Sequence, residues 1–329
     1  MTSKSQTTKI GNDASVGRKA FEDRPENMAS TQEFLRSLLS VEVGSLLQFD
    51  PLARQGRDPE GVHQLRVCAR RLRSELRVVA PAMKSRPLSR LEDELQWVGR
   101  VLGQQRDLDV LLELLRSVND KISPSLDAAI FLRLKKRRAS ISREVVELLD
   151  SERYRRLVRT LADAVIRPPL RTDSTGSAVE ILLPQLNKTL SKLFQSVDDL
   201  GPDPTNLELH RIRIMAKQGR YSAEVAGLIL GDAAKSTGKS LEQVQSVLGE
   251  LHDRCVAIEY LEEYSVLYEE GDAAGGRRAI SLATRRMTDS IEELKTKWRE
   301  PLERARLLSG PLMHRENELN GSGTQHEVQ

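Results

Sequence analysis

The sequence predicts an all-α protein built from antiparallel helical bundles, and three observations carry that prediction. Apolar residues recur at three- and four-residue spacing through almost every segment between roughly residues 31 and 308. Strand-like alternation never survives more than a few positions. The chain also divides into two halves that carry matching motifs at a nearly constant offset.

Taken in order, the pattern places helices at roughly 31–49, 59–80, 87–119, 124–149 and 151–166. Asp58 and Pro59 supply an N-cap and a first-turn proline for the second of these. A break with Pro168, Pro169 and Gly176 follows between Arg167 and Ser177. Further helices are expected at about 177–199, 205–230, 240–270 and 273–308, with Thr205 and Glu208 forming a capping box. Residues 1–29 are rich in Ser, Thr, Asp and Lys without apolar period and read as a disordered lead-in; 311–329 read as a disordered tail. The expected organisation is a first helical half at 30–166, a linker at 167–176 and a second half at 177–310.

Hydrophobic residues make up 39% of the 329 and charged ones 30%, enough for a core beneath a heavily charged surface. Fifty-one Lys and Arg against 48 Asp and Glu leave +3, so the grouping of charge matters more than its sum. Cys68 and Cys255 stand apart beside apolar residues and read as buried free thiols, with no disulfide framework or cysteine-type zinc site. No 18-residue apolar run and no signal-peptide core is present, so a soluble, cytoplasmic protein without a membrane partner is expected.

The functional signal is a pair of histidine-led basic stripes. The first half carries Val62-His63-Gln64-Leu65-Arg66, continuing through Arg70, Arg73 and Arg77; the second carries Leu209-His210-Arg211-Ile212-Arg213, then Lys217 and Arg220. Steps of three and four put each set on one helical face, about 21 Å long at about 1.5 Å per residue in the first half. Val62, Leu65, Ala69, Leu72 and Leu76 form the adjacent apolar face. Like charges at these spacings cost a few tenths of a kcal/mol per pair, so a helix needing only solubility would interleave acids. One stripe alone reads equally well as a solvated basic face; a second with a matched histidine argues for a ligand. Guanidinium forks fit phosphate oxygens bidentately, so the ligand class is a polyphosphate-like polyanion. Arg133 and Arg137, on the 124–149 helix, are expected to close the groove. Among cations each histidine is biased toward neutrality, and binding is expected to tighten as pH falls from about 8 toward 6.

Downstream, Val101-Leu102-Gly103 precedes Asp107, and Val247-Leu248-Gly249 precedes Asp253. With the two stripes, these residues make the chain similar to the CHAD family, the conserved-histidine α-helical domain, over roughly 30–308. That resemblance implies two four-helix bundles related by a pseudo-two-fold axis, with basic surfaces meeting in a central groove. It implies binding of inorganic polyphosphate and association with polyphosphate granules, and the chain looks like a stand-alone copy. Gln218-Gly219 departs from the family pattern, costing one charge and weakening the helix, so the second stripe is expected to bind more weakly.

Two other motifs carry weaker signals. Ala233 to Ser240 approximates a phosphate-binding loop but follows a helix, so Gly238 is expected in a loop, with Ser240 and Gln243 capping the next helix. His252-Asp253 resembles the core of metal-dependent phosphohydrolases, but Arg106-Asp107 stands at the matching place, so no metal site, cofactor or catalytic residue is assigned. Asp107 and Asp253 are read as carboxylates that orient nearby arginines. Polyphosphate binding without catalysis leads, with other polyanions as further partners. The rivals are a nucleic-acid-binding module, disfavoured by 4% aromatics, and a metal-dependent polyphosphate phosphohydrolase.

Overall fold

The computed structural model describes residues 30–322, apart from 56–58, 175 and 267–272. In chain order the helices are α1 (Thr31–Gln55), α2 (Pro59–Val78), α3 (Ser85–Asn119), α4 (Ala128–Asp150) and α5 (Glu152–Ile166) in the first half. The second half has α6 (Ala178–Asp198), α7 (Asn206–Leu230), α8 (Asp232–Ser265), α9 (Ala273–Lys297) and α10 (Arg299–Ser322). Among the described residues there is no strand, only the isolated bridges Ser30–Ser177 and Met83–Leu170.

Local chemistry fixes several boundaries. Ser151 ends α4 and caps α5 by accepting from the Tyr154 N–H, so one residue turns the corner. Asp127 and Ser177 cap α4 and α6, and Thr205 with Glu208 forms the expected capping box. The proposed cap Asp58 and the 1–29 lead-in lie outside the described residues.

Several boundaries correct the expectation. α1 runs through Pro51 to Gln55, and α10 runs through Pro311 to Ser322 where a tail had been expected. A proline orphans the carbonyl four residues earlier. Here those carbonyls belong to Leu47 and Leu307, both exposed to water, and the α10 extension buries Leu312. The loop expected around Gly238 is also corrected, because Ala233 to Ser240 are all helical within α8. The turn is instead Gly231, whose φ of 77° and ψ of −152° suit a residue without Cβ.

Among the described residues each half contributes five α-helices, as the apolar period predicts for the first half; in the second, the single helix expected at 273–308 divides at Trp298 into α9 and α10. The two halves do not close separate cores: buried residues from Phe34 to Leu312 form one cluster that includes both. A second cluster joins the distal ends of α3 and α8 to α4 and α9. Where the halves meet, a chain of ion pairs crosses four helices. Glu42 on α1 faces Arg71 on α2 at 3.9 Å, Arg71 faces Glu224 on α7 at 3.7 Å, and Arg220 pairs with Glu224 at 3.4 Å and with Glu242 on α8 at 2.6 Å. Cys68 is buried and Cys255 half-buried; both are free thiols.

Candidate functional site

The two stripe helices lie side by side. The charge of Arg213 acts on Arg66, and that of Arg70 on Lys217, so α2 and α7 present their stripes in the same sense. Between them opens a cavity of about 400 Å³. Arg66, Arg70, Arg73 and Arg77 line it from α2, Arg213 and Lys217 from α7, and Arg100 from α3, with no carboxylate in the lining. A larger cavity, about 810 Å³, lies between the start of α3 and the end of α5, but it includes Asp163 and none of the stripe residues.

Several of these cations are only partly engaged. Arg66 meets Asp107 at 3.5 Å, Arg73 donates to Gln96 at 2.8 Å and Arg77 to Glu92 at 2.9 Å. Arg70 lies 5.9 Å from the centre of the Tyr221 ring. The buried Nε atoms of Arg70, Arg73 and Arg213 have no acceptor in the protein, which is costly unless a ligand supplies one. Lys217 is pushed down to about 7 by burial and then by the charges of Arg70, Arg66, Arg213 and Arg220. Crowding of this kind disfavours charge in the free protein and favours it beside an anion.

The spacing between stripe and Leu-Gly motif, repeated in the two halves, acquires a geometric reason here. A Cβ on Gly103 would meet Arg66 Nε at 3.6 Å, and one on Gly249 would meet Arg213 Nε at 3.7 Å. Each glycine thus lets one arginine lie flat against the neighbouring long helix. At that distance a methyl group is in ordinary contact. Gly103→Ala is therefore expected to raise stability by up to about 1 kcal/mol in denaturant titration, whereas Gly103→Leu displaces Arg66 and weakens anion binding.

The histidines do not line the cavity. They sit one turn before Arg66 and Arg213, at its end, and the Nδ1 atom of each is buried without a partner in the protein. His63 is held below its ordinary value by burial and then by Arg106; His210 by burial and then by Arg213. The His210 ring lies 4.6 Å from that of His252. His252 is pushed down to about 4 by burial, Arg213 and His210. Asp107 reaches Arg66, as expected for an orienting carboxylate. Asp253 is raised by burial although Arg213 opposes the shift.

Three proposed ligands lie elsewhere. Arg220 is 7% exposed, paired with Glu224 and Glu242 and stacked on Tyr221, so it belongs to the junction between the halves. Arg133 and Arg137 are exposed on α4 and act on Tyr260 of α8, outside the cavity lining. Arg100 was missed by sequence reasoning. It precedes Gly103 by three residues and Asp107 by seven, one face of α3, and that spacing was the available signal. Gly219 also finds a reason: a Cβ there would meet Leu241 at 3.1 Å, so the residue admits α8 close to α7.

An all-α bundle in which two basic helices meet over one carboxylate-free cavity defines the class of protein. The chain belongs to the CHAD family: the CHAD domain model matches residues 37–262. It is 27% identical over 237 residues to the uncharacterized proteins MT2285 and Rv2226 of Mycobacterium tuberculosis, strains CDC 1551 and H37Rv. That match covers 69% of this chain and 45% of each relative, so the chain spans about half the length of those proteins. Two solved structures share the fold. PptA from Streptomyces chartreusis matches with a TM-score of 0.68 at 17% identity, over 84% of this chain and 100% of that one. The CHAD domain from the plant Ricinus communis matches with a TM-score of 0.67 at 24% identity, over 86% and 93%. No described helix is long and apolar enough to cross a membrane.

Proposed function

We propose that this protein binds inorganic polyphosphate in the groove between α2 and α7, without catalysing its turnover, and thereby associates with polyphosphate granules in the cytoplasm. Family membership supports a polyphosphate-related role in general. The observation that carries the specific reading is the cavity itself, where seven cations converge and no carboxylate lines the space, Asp107 and Glu92 reaching only Arg66 and Arg77 from outside it. A linear chain of phosphates offers oxygens at short intervals along the stripe and fits guanidinium donors that keep free valences. His63 and His210 would organise the end of the groove. Nucleic acid would ask for stacking platforms. The one aromatic in the lining, Tyr221, is 2% exposed and already covered by Arg70 and Arg220. Among the described residues no group of three or more His, Cys, Asp or Glu is placed to hold a metal ion.

Calorimetry with long polyphosphate, DNA and heparin at matched charge and salt tests this reading. Polyphosphate is expected to bind most tightly, with affinity falling steeply as salt rises. Equal competition by DNA would instead favour a nucleic-acid module. Phosphate release that requires a divalent metal and disappears in His252→Ala would establish a hydrolase.

A pH dependence follows from Lys217. Its value is about 7 in the free protein, and a bound polyanion raises it, so binding takes up a proton. Affinity therefore rises as pH falls from about 8 and levels off once Lys217 is protonated in the free protein, below about 7. The depressed histidines add to the effect only at lower pH. Lys217→Arg is expected to flatten the profile between about pH 7 and 8; an unaltered slope there would place the titrating group elsewhere.

A further inference from the structure

The cavity brings together two groups that plain anion binding does not require: a cradle of arginines and, among them, one primary amine. Lys217 is half-buried on α7 and lines the cavity beside Arg66, Arg70, Arg100 and Arg213. Among the described residues no carboxylate pairs with its Nζ, and its charged neighbours are cations from α2 and from its own helix. We propose that Lys217 is a site of self-acylation by small acyl phosphates, the arginines holding the phosphate while the amine attacks the neighbouring carbonyl carbon. This rests on the reading of the cavity as an anion site.

The step balances without a further reactant. The nitrogen lone pair forms the new C–N bond, and the C–O bond to phosphorus breaks. Phosphate departs with that electron pair, and the surplus proton on nitrogen passes to phosphate or water. The arginines serve twice, by concentrating the donor and by stabilising the charge on the leaving phosphate. Crowding also readies the nucleophile. With a value of about 7 in the free protein, most copies of Lys217 meet the donor with a free amine at pH 7.5, and a small acyl phosphate raises that value less than a polyanion does. An ordinary exposed lysine offers about one in a thousand. Lower basicity returns part of that advantage, leaving an expected preference of about tenfold or more. The product amide carries no charge, so acylation subtracts a cation from the polyanion groove and ties its affinity to acyl-phosphate supply.

The test uses the full chain, acetyl phosphate at pH 7.5 and peptide mapping by mass spectrometry. Lys217 is expected to be acetylated at least about tenfold faster than Lys135 and Lys239, which are exposed on helices. Saturating long polyphosphate should suppress the Lys217 rate alone. A neutral reagent, N-hydroxysuccinimidyl acetate, should show a smaller preference. Equal rates at the three lysines overturn the proposal, and an equal preference with the neutral reagent overturns capture through phosphate. Calorimetry on the unmodified protein separates the two readings. Polyphosphate binding without selective acetylation removes only this proposal. Selective acetylation in a protein that ignores polyphosphate removes the ligand assignment and retains this one.

Discussion

The triple variant Arg66→Ala/Arg70→Ala/Arg213→Ala is expected to bind long polyphosphate about a thousandfold more weakly than wild type while keeping its fold. Each charge-assisted hydrogen bond to a phosphate contributes at least about 1.5 kcal/mol. Three of them amount to about 4.5 kcal/mol, roughly three decades of affinity. The salt dependence should flatten too, since three fewer contacts release fewer counterions; by analogy with single-stranded nucleic acid the log–log slope falls by about 2 units. Stability should not follow affinity. Arg66 is held below its ordinary value by burial, and although Asp107 opposes this, Arg70, Arg106 and Arg213 add to it. Removing cations that repel one another relieves the free protein, in the manner of a binding site that trades stability for function. Calorimetry at two salt concentrations and a thermal melt decide the matter. Unchanged affinity would take the ligand out of this cavity, and lost affinity accompanied by lost helicity would show that the arginines serve the fold.

How much of this was legible in the sequence depends on the range of the interactions involved. Apolar period is a local signal, so the all-α class and the bodies of the helices as far as Lys297 could be read directly, whereas the break at Trp298 and the second half of α10 could not. The α3 prediction of 87–119 differs from the observed Ser85–Asn119 only at its start. Errors fell where a distant residue decides. Gly238 looks like a loop glycine, yet it packs against Ala223 and Glu224 of α7 inside α8, and the turn belongs to Gly231. Pro311 looks like a terminator until Leu312 is seen buried, with Asn187 donating to its carbonyl from α6. The same division holds within the site. Steps of three and four identified Arg66, Arg70, Arg73, Arg77, Arg213 and Lys217, because a helix face is set by spacing alone. What faces that stripe is not encoded locally. Arg100 enters from α3, both histidines fall at the end of the groove rather than in it, and Arg133 and Arg137 remain on the outer part of α4.

Arg220 is the sharpest case, because it continues the second stripe one turn beyond Lys217 and yet is expected to behave in the opposite way. Its guanidinium is buried between Glu224 and Glu242, the latter contributed by the helix that follows. Arg220→Ala removes the partner of Glu242 and leaves Glu224 to Arg71, which already faces Glu42 at the junction between the halves. Breaking a buried ion pair from one side costs about 3–5 kcal/mol. Glu242 is exposed and can turn to water, so only the buried Arg220 side is lost and the lower end applies, about 3 kcal/mol, with a fall in Tm on the order of 10 °C. Polyphosphate affinity, measured well below the new midpoint, should stay within about threefold of wild type, since the residue lies outside the cavity. Glu242→Ala should cost less alone, and the double variant less than the sum, giving a coupling of about 1 kcal/mol or more. A melt that does not move, together with an affinity loss like that of the cavity arginines, would turn Arg220 into the groove and sever the link it makes between α7 and α8.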